Sequence, residues 1–429
     1  MQARHHRRLG QHHARHEHPL DERAASQTLS LEQSRAGWHQ KSVNAPSTRT
    51  RRAFLQHSAA LAALPLLAPS VAFAANRKYR AAVFGATGKG DYGHGLDVVF
   101  NGRENVELVA VSDADAAGRA KAAARLKAPR SYADFRELLE KEKPDLVSVA
   151  PRQTGEHHAM VLAALRAGAH VYSEKPFTTT LAEADELLAE ADKRKRKIAV
   201  AHQMRLAPSV QHLKKAVADG SLGELLEIRA HGKQDARAGG EDMMVLGTHL
   251  FDLTRLFAGD ALWCSARVQQ QGRDITAADA RLTKDFIGPV AGDEIHATFA
   301  FANGVNATFT SRAKNREVAG PWGIELIGSK GRAKISANIP PQITIAKPEK
   351  DATRWESFQP PVASEGFPAA NARVMDDLLA AIEQSREPEC SGRNAMRAVE
   401  MVLAVYHAAL TGRRVALPLT ERGHPLAAK

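Results

Sequence analysis

Three groups of residues in this chain have types and spacings that can do chemistry. They are the glycine-rich stretch GATGKGDYGHG at 85–95, the charged pair Glu174-Lys175 ahead of Pro176, and His249 with Asp242 before it and Asp252 after it. The first is the most explicit. A short apolar run, YRAAVF at 79–84, leads straight into it, and a second apolar run at 106–111 ends in Ser112-Asp113. Strand, glycine turn, helix, strand and terminal acid form the unit that holds a dinucleotide. Glycines are needed there because a Cβ would obstruct the tight turn and keep the backbone amides off a pyrophosphate. Counted from the strand end, Gly85, Thr87 and Gly90 occupy the three fingerprint positions, so a threonine replaces the middle glycine. A second frame, Gly88 to Gly93, matches the letters but starts three residues later. Gly88 is therefore an alternative point of close approach. Asp113 would accept hydrogen bonds from the adenosine ribose hydroxyls and repel a 2′-phosphate. NAD is the expected cofactor, with NADP as the alternative.

Other chemistries have less to work with. Cys264 and Cys390 are the only cysteines, no CxxC or HExxH occurs, and the densest histidines sit in the N-terminal MQARHHRRLGQHHARHEH, so no metal site is expected. The two cysteines allow one disulfide at most, which the sequence leaves open. The formal charge of +11 suggests nucleic acid until it is divided along the chain. Residues 1–52 hold ten Lys and Arg against four acids, and 53–74 hold no charge, which leaves +5 for the rest. The run KRKRK at 193–197 reads as a solvated helix end, and no nucleic-acid partner is expected. A chain that is 44% hydrophobic and 25% charged has the balance of a globular protein.

The N-terminal region reads as an address. Thr50-Arg51-Arg52-Ala53-Phe54-Leu55-Gln56 precedes an uncharged, Ala- and Leu-rich stretch at 58–67, then Pro69 and Ala72-Phe73-Ala74. That is the order of a signal peptide, and the arginine pair resembles a twin-arginine signal, which exports folded proteins. The apolar run is too short for a stable membrane anchor. Cleavage after Ala74, a periplasmic location and the twin-arginine machinery as a partner are expected. A nicotinamide protein exported folded would carry its cofactor with it, tightly bound.

The elements that must position these residues follow from the alternation of apolar runs. Helices are expected at 96–102, 116–126, 157–167 and 181–193, and strands at 145–150, 170–173 and 197–201. They make a doubly wound parallel sheet of the Rossmann type, whose ligands lie at the carboxyl ends of the strands. Asp113, Pro151 and Glu174-Lys175-Pro176 should then face one crevice. Further on, strand-like runs at 224–232, 263–271, 294–301, 305–311, 323–327 and 332–335 follow one another with no long helical pattern before 371, and helices at 371–384 and 393–410 close the chain.

AGAHVYSEKPF at 167–177, His157, AHQMRLAP at 201–208 and GTHLFD at 247–252 together resemble the glucose-fructose oxidoreductase and inositol dehydrogenase (Gfo/Idh/MocA) family. The resemblance implies a fold of α/β plus α+β class. A Rossmann domain at 75–201 would follow the leader and signal at 1–74, and an α+β domain at 202–429 would carry a large open, mostly antiparallel sheet. That sheet covers the active site and often forms the contact of a homo-oligomer. It also implies that Lys175 points at the substrate beside the nicotinamide, where an ammonium steadies a developing alkoxide. His249 matches the histidine that handles the hydroxyl proton. His157, Glu174 and Arg205 match residues near cofactor or substrate, although the loop to His157 is two residues longer than usual. Many members carry an aspartate four residues before this histidine; here it is Val245. Glu241, Asp242 and Asp252 are the candidate substitutes. Arg237, His231 and Trp322 are weaker candidates for lining a sugar pocket.

The function these features imply is an exported NAD(P)-dependent oxidoreductase acting on a CH–OH group of a small carbohydrate or polyol. An NAD-dependent glycosidase that works by transient oxidation and elimination is one alternative, and a non-catalytic carbohydrate or cofactor sensor is another.

Overall fold

A computed structural model describes residues 78–313, 322–347, 351, 353–358, 360 and 366–427. The leader and the signal-like segment lie outside the described residues. Among those described, no helix is long and apolar enough to cross a membrane.

The first sheet is parallel throughout, in the order β3-β2-β1-β4-β5-β6. Its strands are β1 (Tyr79–Phe84), β2 (Val106–Ser112), β3 (Ser131–Tyr132), β4 (Leu146–Val149), β5 (His170–Ser173) and β6 (Ile198–Val200). β4 and β5 are buried along their whole length, as a sheet covered on both faces requires. The strand order reverses between β1 and β4, and the crevice opens there. The covering helices are α1 (Ala116–Leu126), α2 (Phe135–Glu142), α3 (His157–Arg166) and α4 (Leu181–Arg194). Each start is chemically marked where a side chain takes an orphan amide: Asp115 caps α1, Asp134 caps α2, and Thr180 with Glu183 forms a capping box on α4.

One expectation fails here. The segment at 96–102 is not a helix of useful length but a three-residue 3-10 turn, Leu96–Val98. Gly93, Gly95 and Gly102 all have positive φ (63°, 84° and 73°), and glycines so spaced leave too few residues to nucleate an α-helix. No long helix dipole therefore stands behind the glycine turn. The helix α2 and a fifth, α5 (Pro208–Ala218), which starts with proline in its first turn, were not anticipated.

The second sheet runs β15-β14-β13-β12-β7-β11-β10-β8-β16, with β9 pairing to β8. Its strands are β7 (Leu225–His231), β8 (Ala261–Gln270), β9 (Arg273–Asp274), β10 (Glu294–Phe301), β11 (Asn306–Arg312), β12 (Gly323–Gly328), β13 (Gly331–Ser336), β14 (Gln342–Ala346), β15 (Glu356–Ser357) and β16 (Val415–Ala416). All pairs are antiparallel except β7 with β11. Burial alternates: Ile295, Ala297, Phe299 and Phe301 of β10 face the core, and Glu294, His296, Thr298 and Ala300 the opposite, half-open face.

A long helical stretch separates β7 from β8, against expectation. It begins as α6 (Gly240–Asp242), widens into a π turn at Met243–Gly247, and continues as α7 (Thr248–Ala258). Then α8 (Phe367–Glu383) returns to the first sheet, where Tyr172 Oη and Gln203 Nε2 both donate to Asn371 Oδ1 at 3.0 and 2.6 Å. The last helix, α9 (Gly392–Thr411), packs against β8, α7 and α4, so the two sheets share one body of apolar contacts. Cys264 and Cys390 are buried and free.

Candidate active site

The glycine turn and Asp113 meet at the carboxyl ends of β1 and β2. Asp113 is buried, 2% exposed, and its carboxylate accepts from the Thr87 amide at 3.1 Å, the Thr87 hydroxyl at 2.7 Å and the Asp115 amide at 3.0 Å. Threonine in place of the middle glycine therefore supplies a bond that glycine could not: it ties the turn to the acid. Gly85 lies beneath the Tyr92 ring, which a Cβ would strike at 2.2 Å. A Cβ on Gly90 (φ +88°) would lie 2.5 Å from the Arg152 amide, whereas one on Gly88 (φ +80°) would meet nothing within 4 Å. The open side of the turn at Gly88 leaves room for a ligand's phosphates, whereas Asp113, enclosed and already accepting from Thr87 and Asp115, secures the turn from within rather than presenting its oxygens to the crevice. When bound, the nicotinamide ring supplies the site that takes or gives a hydride.

The expected residues of the third loop turn inward instead. His157 is fully buried, its Nδ1 at 2.8 Å from Pro176 O and its Nε2 at 2.7 Å from Pro151 O, so it ties two crevice loops together from beneath. Glu174 is also fully buried. It accepts from His94 Nδ1 at 2.6 Å, from the His94 amide at 3.0 Å and from the Lys175 amide at 2.8 Å. Burial alone would raise its pKa, but the His94 hydrogen bond and the His94 and Lys175 charges hold it down to about 2. These residues shape the crevice floor rather than its surface.

Lys175 reaches across to the second half of the molecule. Its Nζ donates to Val245 O at 3.1 Å, and the side chain is 7% exposed. Burial lowers its pKa, the Glu174 carboxylate opposes that, and the Arg237 guanidinium lowers it further. Val245 belongs to the π turn, whose geometry takes carbonyls off the regular helical ladder. The residue whose side chain cannot help His249 thus contributes its carbonyl to the lysine.

His249 stands in the first turn of α7, 5% exposed, with Nδ1 enclosed and without a partner among the described residues. Burial, then the Lys175 charge, holds its pKa well below the ordinary histidine value, so the ring is neutral. The Trp322 ring lies edge-on to it, centroids 6.4 Å apart. The three candidate carboxylates part company. Asp242 turns inward but not toward His249: it accepts from the Lys233 amide at 3.1 Å, the Gln234 amide at 3.0 Å and the Ser311 hydroxyl at 2.7 Å. Its place is structural, which corrects the expectation of a catalytic role. Glu241 pairs at 3.5 Å with Arg281. Asp252 is 1% exposed and pairs with Arg205, whose Nε and Nη2 donate at 3.0 and 2.8 Å. Arg205 is therefore committed to a buried ion pair rather than to a ligand. Arg237 pairs with Asp235 at 2.9 Å beside the lysine, and His231 lies on β7, its Nδ1 at 3.1 Å from Gly232 O.

Sequence reading missed His202 and His94. His202 lies two residues beyond the last residue of β6, at the end of the sheet where ligands bind, a position that could have marked it. Its ring meets that of His249 edge to face at 5.3 Å. His94 sits inside the glycine stretch, and only the fold reveals that it faces Glu174.

Two sequence models of one oxidoreductase family match this chain: its NAD-binding Rossmann fold at residues 79–202 and its C-terminal alpha/beta domain at residues 214–417. The first part is thus an NAD-binding Rossmann domain. D-apiose dehydrogenase of Paraburkholderia graminis is 26% identical over 338 residues, covering 75% of this chain and 86% of the relative. Levoglucosan dehydrogenase of Pseudarthrobacter phenanthrenivorans is 26% identical over 274 residues, covering 57% of this chain and 68% of the relative. Among solved structures, aldose-aldose oxidoreductase from Caulobacter crescentus in complex with glycerol aligns with a TM-score of 0.63 at 21% identity, over 80% of this chain and 100% of the other. A structure of levoglucosan dehydrogenase with NADH and L-sorbose aligns with a TM-score of 0.65 at 19% identity, over the same shares. At these identities the structural matches speak for the fold.

Proposed function

From the premise that this chain belongs to the Gfo/Idh/MocA oxidoreductase family, we propose that it moves a hydride between NAD and a hydroxyl-bearing carbon of a sugar or polyol. The observation that carries the reading is the placement of Lys175 Nζ on Val245 O, four residues before His249 on the same helical stretch. A substrate hydroxyl entering between them meets a cation that steadies its oxygen and a neutral imidazole that takes its proton. The sugar-directed names of relatives such as D-apiose and levoglucosan dehydrogenase support the substrate class. Trp322 beside His249 adds an apolar face of the kind on which a sugar ring packs.

The finer parts of the reading rest on the sequence. TRRAFLQ at 50–56 supports export through the twin-arginine pathway to the periplasm, with NAD loaded before export and held tightly. The half-open face of the second sheet is where copies of the chain would meet in a homo-oligomer. The test of the function is absorbance at 340 nm, with NAD present and then with NADH, across a panel of free sugars, anhydrosugars and polyols. Turnover on at least one is expected. A flat trace throughout, with NAD demonstrably bound, would sink the proposal, and release of nitrophenol from aryl glycosides without net NADH would replace it by the elimination reading.

A further inference from the structure

The missing carboxylate at position 245 leaves a physical problem. A histidine that takes a proton becomes a cation, and this one is buried beside the Lys175 ammonium, which disfavours that charge. Met244 and Val245, just upstream, are buried and apolar and cannot help. The groups that face the ring from the surrounding elements are Lys175 and Glu174 after β5, His94 from the glycine turn, and His202 after β6. Behind His202 stand Asp252 of α7, Arg205, and Cys390, whose Sγ lies 3.4 Å from His202 O.

His202 is 2% exposed, and its Nδ1 lies 3.9 Å from Asp252 Oδ1. Its Nε2 and the Nδ1 of His249 are both enclosed with no hydrogen-bond partner among the described residues, and the two rings meet at 67° with centroids 5.3 Å apart. An imidazole whose Nδ1–H points to a carboxylate presents a lone pair at Nε2. An imidazole that must accept a substrate proton at Nε2 carries its own hydrogen at Nδ1. In these tautomers the two unpartnered nitrogens would be complementary, His202 Nε2 as acceptor and His249 Nδ1 as donor.

Resting on the reading of His249 as the proton-handling group, we propose that His202 is its positioning residue, coupling it to Asp252 in place of the carboxylate that position 245 lacks. The contact closes by a small ring rotation or through one bridging water. In the step it supports, the substrate O–H bond breaks and an N–H bond forms at His249 Nε2. The hydrogen at Nδ1 stays and is shared with His202 Nε2, whose lone pair steadies the positive charge, while Asp252, 3.9 Å from His202 Nδ1, orients the His202 ring. Asp252 remains ionised because Arg205 holds it.

The amide variants separate this from a merely structural role. His202→Gln places an acceptor near the position of Nε2, whereas His202→Asn keeps a polar group near Nδ1, toward Asp252, and has none at the Nε2 position. The probe is ring nitrogen NMR of the 15N-histidine-labelled full chain with NAD bound, titrated with pH. The expected result is a Nδ1–H tautomer of His249 in the parent and in His202→Gln, lost in His202→Asn together with a fall of its titration midpoint by about one pH unit. Where a substrate turns over, kcat/KM should fall roughly 10- to 100-fold in His202→Asn with NAD retention unchanged, and recover in part in His202→Gln. His249 spectra and midpoints that are the same in all three proteins would overturn the coupling. Absence of turnover in the parent would instead refute the proposed function, and the ring spectra would still decide the coupling.

Discussion

At the scale of single residues, the placement of charge in this crevice follows from which carboxylates are already taken. Asp242 lies close to the site in sequence, yet it holds two backbone amides and the Ser311 hydroxyl. Asp242→Asn should therefore cost folding stability, about 2–4 kcal/mol in a urea melt, because an amide group would turn a donor toward donors. The pH dependence of turnover should stay as in the parent; a displaced acid limb would instead give Asp242 a part in proton handling. That Lys175 and Asp113 lie at the carboxyl end of the first sheet was legible, because each follows an apolar strand. The Asp252 pairing with Arg205 and the meeting of His202 with His249 were not, since these partners are about fifty residues apart and no local pattern joins them.

At the scale of elements, five of the six parallel strands and the helices expected at 116–126, 157–167 and 181–193 could be read from apolar runs. Two local features defeated that reading. Positive-φ glycines reduced the helix after the glycine turn to a single 3-10 turn, and a π turn that no periodicity announces was placed just before His249. The start of that helical stretch depends on Gly239, whose φ of 92° and ψ of −135° suit glycine alone. Its amide donates to Ser311 Oγ at 2.9 Å, and a Cβ there would lie 2.2 Å from Gly292 O. Gly239→Ala should thus lower stability by roughly 2–5 kcal/mol or prevent folding. Gly272→Ala, also at positive φ but with nothing within 4 Å of the new Cβ, should lose only about 1–2 kcal/mol. Equal melting temperatures for the two variants would show that the helix start does not rest on that contact.

At the scale of the whole molecule, two sheets and the helices between them enclose titratable groups that must stay uncharged. Burial holds His202 and His424 down to about 4 and His249 well below the usual histidine range. Below about pH 6.5 the unfolded chain binds protons at these sites that the folded one does not, so stability falls as pH is lowered toward 4. Each histidine contributes a slope of at most about 1.4 kcal/mol per pH unit in that window. Glu174, held at about 2, and Asp252, also lowered, add their loss only below the ordinary carboxylate values near pH 4. Urea midpoints of the NAD-bound protein should hold steady from pH 8 to 7 and fall from pH 6 to 4.5; a flat curve across that range would contradict the enclosed neutral histidines.

The central claim concerns a hydride placed by Lys175 and His249, and an isotope follows it most directly. A substrate from the active part of the panel, deuterated at the hydroxyl-bearing carbon, is incubated with the protein and NAD, and the dinucleotide is then released by denaturation and weighed. The account predicts that the released NADH carries the deuterium, and that Lys175→Met lowers the rate of labelling about 100-fold or more while NAD is still bound. A dinucleotide that stays unlabelled while substrate is consumed would contradict it.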